Sequence, residues 1–340
     1  MNTDRHTPTA ASRLALRWAI AAVLLLALLI GGALAANRVL FSPEHMVTDL
    51  QKHLAAGEGA QALGLMNATV PKGDAVALDS EALAHTQDGI SDFTADDSQV
   101  DPNDENLRIV TAHYKADGVD QESKYTLRHT GKTWLFFDTW AFVPSTLPTV
   151  RVKANTVNEV TVNEQQIPLK AGVSTLPVFY PSVIDASFST KNFAADTRGV
   201  VVTGPSEDPV RIALKTQPTK AFIKSINTKV KKYLDDCTKQ QVLMPSGCPF
   251  AYNTTARVDS STINWSIDKY PRIDVSYYNG DWVLSPLDVT ASVNLVEQDL
   301  RTGAKDKKKV TDKFSFTAQL TTSTTDVSVV PVTGGEQVAR

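Results

Sequence analysis

Three titratable side chains come nearest to a reaction centre. His113 and His129 fall on two neighbouring strands expected over residues 107–115 and 122–129, and Asp138 follows in the next apolar stretch. Imidazoles and a carboxylate gathered at one sheet could divide acid and base roles between them. The same residue types also line the rim of any half-exposed sheet, so spacing alone does not separate the two readings. Ser266 and Lys269 match the S-x-x-K nucleophile motif, which needs both groups on one helical face. They sit in an alternating, strand-like run, where positions three apart face opposite sides, and no K-T-G partner follows; Arg301-Thr302-Gly303 is the nearest. Asp88, Asp92, Asp96, Asp97, Asp101, Asp104 and Glu105 crowd one expected loop. Pro102 and the missing glycine break the EF-hand pattern, so the stretch reads as a solvated acidic loop and no metal site is expected.

Two further groups have binding or structural potential. Lys305, Lys307, Lys308 and Lys309 follow the Thr302-Gly303 turn. They could touch an anionic wall polymer or lipid headgroups, or simply guard a strand edge against pairing. Cys237 and Cys248 are the only cysteines, and no histidine follows His129, which leaves a metal pair without partners. C-x-x-C redox spacing is absent, so a structural disulfide is expected, stabilising by about 3 kcal/mol through closure of a short loop. Trp134, Trp140, Trp265 and Trp282 read as core anchors.

The elements that carry these residues hang from one stretch. Trp18 to Ala36 holds nineteen residues without a charge, bounded by Arg17 and Arg38. As a helix it spans about 28 Å, close to the hydrocarbon thickness of a bilayer. The preceding arm, residues 1–17, carries Asp4, Arg5, Arg13 and Arg17, so the positive-inside tendency keeps it cytoplasmic and sends the remainder outside. A cleaved signal peptide competes with this anchor, because Ala33-Leu34-Ala35 forms an A-x-A site that would release a chain starting at Ala36. Both readings put the bulk of the chain outside the cytoplasm. The whole chain carries a net charge of −3, and the exported part about −5, which argues against a nucleic-acid partner.

Ser42-Pro43-Glu44 opens a helix, with Met46, Val47, Leu50 and Leu54 on one face. Strands follow, ending on TWLFFDTWAFV (residues 133–143), whose near-continuous apolarity predicts a strand covered on both faces. After the Pro144–Pro148 linker come short valine-rich strands to about residue 217. A second helix, with Phe222, Ile223, Ile226, Val230, Leu234 and Cys237 on one face, then leads into period-2 strands and the Asn279-Gly280 turn.

The segment LQKHLAAGEGAQALGLMN resembles the first helices of NTF2-like domains, and residues 42–145 follow their order of helices and then curved sheet. That resemblance implies a cone able to house a site. The later helix and sheet repeat the order and resemble a second NTF2-like or cystatin-like domain. VTVNEQQIPLKAGVSTLPVFYPSVIDASFS resembles small β-domains of bacterial envelope proteins. CTKQQVLMPSGCPFAYN resembles an element of uncharacterised membrane-anchored actinobacterial envelope proteins. The architecture is more distantly similar to the teicoplanin-resistance-associated membrane family, without its zinc ribbon, since no cysteine precedes Cys237.

The expectation is therefore an α+β chain with an N-terminal transmembrane helix and two NTF2-like domains flanking a small all-β domain. Its parts are a cytoplasmic arm (1–17), a membrane helix or signal peptide (18–36), an NTF2-like domain (37–145), a small β domain (146–217), a second NTF2-like domain with the disulfide (218–333), and a tail (334–340). A non-enzymatic binding or scaffolding role at the cell envelope is expected, with no cofactor. Its partners are the bilayer through residues 18–36 and a wall polymer or another envelope protein. The alternative is an envelope hydrolase or isomerase that uses His113, His129 and Asp138 in the first cone.

Overall fold

The computed structural model describes residues 10–134, 136–322 and 327–332, so the expected tail lies outside the described residues, as does the start of the arm. The fold is α+β, with 24% helix and 47% strand, and its sheets curl into half-barrels around apolar side chains. Two compact units form. The first comprises the chain up to Lys153 with residues 158–186 and 198–213; the second comprises residues 154–157, 187–197 and everything from Leu214.

The first unit starts with α1 (Ala10–Leu40), which runs without interruption through Gly31-Gly32 and four residues past the expected end. From Trp18 to Leu40 it has a mean hydropathy of 2.7 and none of it is buried. Leucines, isoleucine and valine project from every side of it. Such a helix finds cover only in lipid or another protein. Among the described residues it is the one helix long and apolar enough to cross a membrane, a property that a signal sequence shares. Phe41 and Ser42 alone separate it from α2 (Pro43–Ala55). Ser42 caps α2 by accepting the His45 N–H at 3.2 Å. Two short helices follow, α3 (Gly59–Met66) and α4 (Ser80–His85).

Four antiparallel strands come next, in the order β1 (Ile90–Asp101), β2 (Asp104–Ala116), β3 (Val119–Thr133) and β4 (Phe137–Phe142). Asp117 and Gly118 take positive φ and make the two-residue turn between β2 and β3. Register shifts after Ser91 and Thr94, and between His129 and Gly131, bend the sheet. α2 lies against it and buries Val47, Leu50 and Leu54 among the unit's core side chains, Val110, Ala112, Tyr125 and Leu127.

Two expectations fail here. The acidic stretch is strand β1 with its hairpin, not a loop; its carboxylates face water along an outer strand, so they leave no apolar alternation to read. The run from 133 to 143 is not one strand. β3 stops at Thr133, Trp134 turns at φ +52°, and the chain re-enters the sheet at Phe137.

Seven strands follow along the chain, β5 (Thr149–Ala154), β6 (Glu159–Val162), β7 (Gln165–Pro168), β8 (Val173–Pro177), β9 (Ser182–Ser189), β10 (Phe193–Val202) and β11 (Val210–Leu214), of which Ala154, residues 187–189, residues 193–197 and Leu214 fall in the second unit. β5 is central between β11 and β8, while β10, β9, β6 and β7 line up in that order. Asn163 and Glu164 both take positive φ in the turn from β6 to β7. The Asn163 side chain also donates to the Val183 carbonyl at 3.0 Å. Residues on both sides of the expected 145/146 boundary belong to the first unit, and Tyr125 donates its hydroxyl to the Tyr180 carbonyl at 2.9 Å across it.

In the second unit β12 (Gln217–Pro218) pairs with the first residues of β10. α5 (Lys220–Thr238) is capped by the Thr219 hydroxyl, which accepts the Phe222 N–H at 3.1 Å. Then come β13 (Arg257–Val258), β14 (Asn264–Lys269), β15 (Val275–Tyr278), β16 (Asp281–Leu284), β17 (Leu287–Gln298), β18 (Lys305–Thr322) and β19 (Val327–Val332). β17 and β18 form the spine of the main sheet. α5 buries Phe222, Ile226, Val230, Leu234 and Cys237, as expected from its periodicity, while Ile223, expected on the same face, is only half-buried at its margin. The inner face of β17 presents Leu287, Val289, Ala291, Val293 and Leu295 to the core. A disulfide joins Cys237 to Cys248 with Cα atoms 5.8 Å apart, tying the end of α5 to the following loop.

Candidate functional site

Of the three residues with potential for acid/base work, the structure brings two together. His129 Nε2 lies 3.1 Å from an Asp138 carboxylate oxygen. His113 is elsewhere: it pairs with Thr94 and Glu122 on the exposed face of β2. The register runs Leu107 opposite Arg128, so seven residues of β2, about 24 Å, separate His113 from the position facing His129. Seven is odd, so the two rings also point to opposite faces of the sheet.

Asp138 is occupied by a different partner, 101 residues earlier. Asn37, in the last turn of α1, donates its amide to Asp138 Oδ2 at 2.8 Å and accepts the Asp138 backbone N–H at 2.8 Å. β4 is the last strand of its sheet, so this N–H faces the open edge, and the Asn37 carboxamide completes it. Lys132 stands 3.8 Å from the same carboxylate. The hydrogen bond from Asn37, then those from His129 and the charge of Lys132, hold the Asp138 carboxyl below the usual aspartate range. One helical turn on, the Phe41 and Phe137 rings stack with centroids 4.4 Å apart. Behind His129 the Trp140 ring packs edge-on at 5.0 Å, and the Arg108 guanidinium lies 5.9 Å over that indole. Arg108 Nη1 and Trp140 Nε1 are buried atoms without a hydrogen-bond partner. The arrangement fastens the base of α1 to the sheet, and its carboxylate is engaged by amide, imidazole and ammonium together.

The four lysines also divide. Along β18, Lys305, Lys307 and Lys309 face outward opposite Gln298, Val296 and Asn294, and Lys313 continues the row opposite Thr290. Lys308 points to the other face and binds Glu297, with Nζ 2.5 Å from the carboxylate. Glu297 is only 6% exposed and also accepts the Tyr252 hydroxyl at 2.8 Å. Lys308 and the hydroxyls of Thr254 and Tyr252 keep the Glu297 carboxyl below its ordinary range, and Glu297 in turn raises Lys308. Among the described residues, no carboxylate lies within ion-pair distance of Lys305, Lys307, Lys309 or Lys313. Asp268 reaches the same face but bonds the Ser292 hydroxyl, which is also 2.6 Å from Thr311. A register shift in β14 pairs Ser266 with Ser292 and Lys269 with Thr290, so these two residues share a face, contrary to simple alternation.

No known protein family, curated protein or solved structure matches the chain. The site is therefore read from its geometry. Sequence reasoning missed Asn37 and Lys132 beside Asp138 and Arg108 over Trp140; for Asn37, nothing local announces a contact over a hundred residues. It missed Lys313, although counting in twos from Lys309 reaches it. The indole of Trp134 was assigned to a core, but it is 84% exposed.

Proposed function

We propose that this chain is a single-pass membrane protein whose N-terminal arm is cytoplasmic and whose two units form an extracytoplasmic binding or scaffolding body at the cell envelope. Its ligand is an anionic wall polymer, met by the outer face of β18. The observation that carries this reading is the row Lys305, Lys307, Lys309 and Lys313, free of ion pairs among the described residues while Lys308 beside them is neutralised. On a strand these ammonium groups repeat about every 7 Å, with one position skipped at Thr311. An extended polyanion can follow such a row, and the chain's net negative charge makes a basic strip without ion pairs a local departure. The uncovered α1 and the disulfide fit an anchored body in an oxidising compartment. The helix-then-curled-sheet order in each unit suits NTF2-like domains, the second without any histidine, which favours binding over acid/base chemistry.

The test is a binding isotherm of the full chain, held in zwitterionic nanodiscs, with poly(glycerol phosphate). At about 1 kcal/mol for each lysine near an anionic surface, replacing all four by glutamine weakens binding by two to three powers of ten. Lys308→Gln, removed from the outer face, leaves it within a factor of a few. Equal effects from both variants, or none from the fourfold one, refute the reading.

A further inference from the structure

We propose that the tip of the β3–β4 hairpin, through Trp134 and Phe136, enters the headgroup layer of the bilayer that α1 crosses, giving the first unit a second membrane contact. The proposal rests on reading α1 as a retained anchor.

Trp134 is 84% exposed and Phe136 65% exposed, while Trp265 is 4% exposed and Trp140 and Trp282 are half-buried. The other strongly exposed indole, Trp18, begins the apolar span of α1. Two exposed indoles thus stand near opposite ends of one apolar helix, where bilayer interfaces favour them. Trp134 also holds φ +52°, a conformation that a bulky residue rarely adopts, at a place where its ring gains no protein packing.

The position of the tip is fixed by its root. The two hydrogen bonds between Asn37 and Asp138 and the Phe41–Phe137 stack hold the first residues of β4 against the end of α1. Residues 18–36 fill the hydrocarbon layer, so Asn37 to Leu40 stand in the headgroup region, which is about 5–7 Å deep on each side. Trp134 and Phe136 lie within three residues of Phe137, hence at most about 10 Å from that root. Val39 and Leu40, beside it on α1, are 67% and 55% exposed and continue the apolar surface. Lys132, half-exposed just inside the tip, and Arg38 on α1 can extend to phosphates while their stems lie along the apolar groups. Aromatic tips flanked by cations match a phospholipid interface in both layers of its chemistry.

The experiment uses the full chain in phosphatidylcholine vesicles and compares wild type, Trp134→Phe and Trp18→Phe. Tryptophan emission is quenched by lipids brominated near the headgroup, by lipids brominated near the acyl end, and by aqueous acrylamide. Trp134→Phe is expected to remove a component quenched at least twofold more by shallow than by deep bromine and shielded from acrylamide. If it instead removes an acrylamide-quenched component and leaves lipid quenching unchanged, the proposal is overturned. Trp18→Phe reports the anchor separately: when it removes no lipid-quenched component, the reading of α1 fails, not the hairpin alone. The double replacement of Trp134 and Phe136 by serine is expected to remove the same shallow component with an unchanged thermal midpoint. A fall in that midpoint would show the tip packing on protein, such as a second copy, and would also overturn the proposal.

Discussion

Replacing Asn37 by alanine removes the two hydrogen bonds that fasten α1 to the edge of the sheet, each 2.8 Å long. The neutral one contributes about 1 kcal/mol and the one to a carboxylate about 1.5–3 kcal/mol in favourable surroundings. Asp138 is 28% exposed, so water replaces part of what is lost, and the net falls to about 1.5 kcal/mol. That is roughly a tenfold change in a local opening equilibrium. Amide hydrogen exchange at Asp138, whose N–H loses its acceptor, is the direct assay: exchange speeds up about tenfold, while Val110 and Leu127 in the sheet interior are unaffected. The same variant moves the Asp138 carboxyl upward, because Asn37 is the largest cause of its depression. The folded-state value lies below the unfolded one, so this stabilisation is complete above the ordinary aspartate range and is lost as pH falls through the depressed value. At neutral pH the Asp138 carboxyl is therefore fully ionised. Unchanged exchange at Asp138, or an Asp138 titration that does not move, refutes the reasoning.

Two more expectations follow from single sites. Reduction of the Cys237–Cys248 bridge, which closes a short loop of separation 11, destabilises the second unit by about 2–3 kcal/mol in urea denaturation under reducing conditions; a shift under 0.5 kcal/mol contradicts this. His85 binds Asp88 at 2.9 Å and lies 3.5 Å from Glu164; the Asp88 hydrogen bond outweighs desolvation, the charges of Glu164 and Asp88 add to it, and the imidazole value is raised. Its contribution is present below the unfolded histidine range and is lost as pH rises through the folded value. An NMR titration of His85 should therefore give a midpoint above that of the same ring in Asp88→Asn.

What was readable in the sequence was what is local. Ser42 caps α2, Asn279 and Gly280 make their turn, and the apolar stripe of α5 is buried, because caps, positive φ and helical period are set within a few residues. Residues 133–143 misled because apolarity marks a side chain that avoids water without saying whether protein or lipid covers it. Strand parity could have placed Lys308 apart from its neighbours, since alternation sends it to the opposite face. It could not have placed Ser266 and Lys269, because a bulge in β14 resets the count. The Asn37–Asp138 contact depends on how the whole first sheet closes, and no short window contains it.

Only Phe41 and Ser42 join α1 to α2, a link that spans at most about 10 Å from Leu40 to Pro43 even when taut. The first unit therefore has no stalk. Under the proposed reading it cannot search the space above the membrane on a tether, and rotating the anchor about its own axis turns the body with it. Lateral diffusion in the plane of the bilayer becomes its means of finding a target. Encounter rates should then scale with the number of copies per area of membrane and be nearly indifferent to how far a ligand reaches into solution.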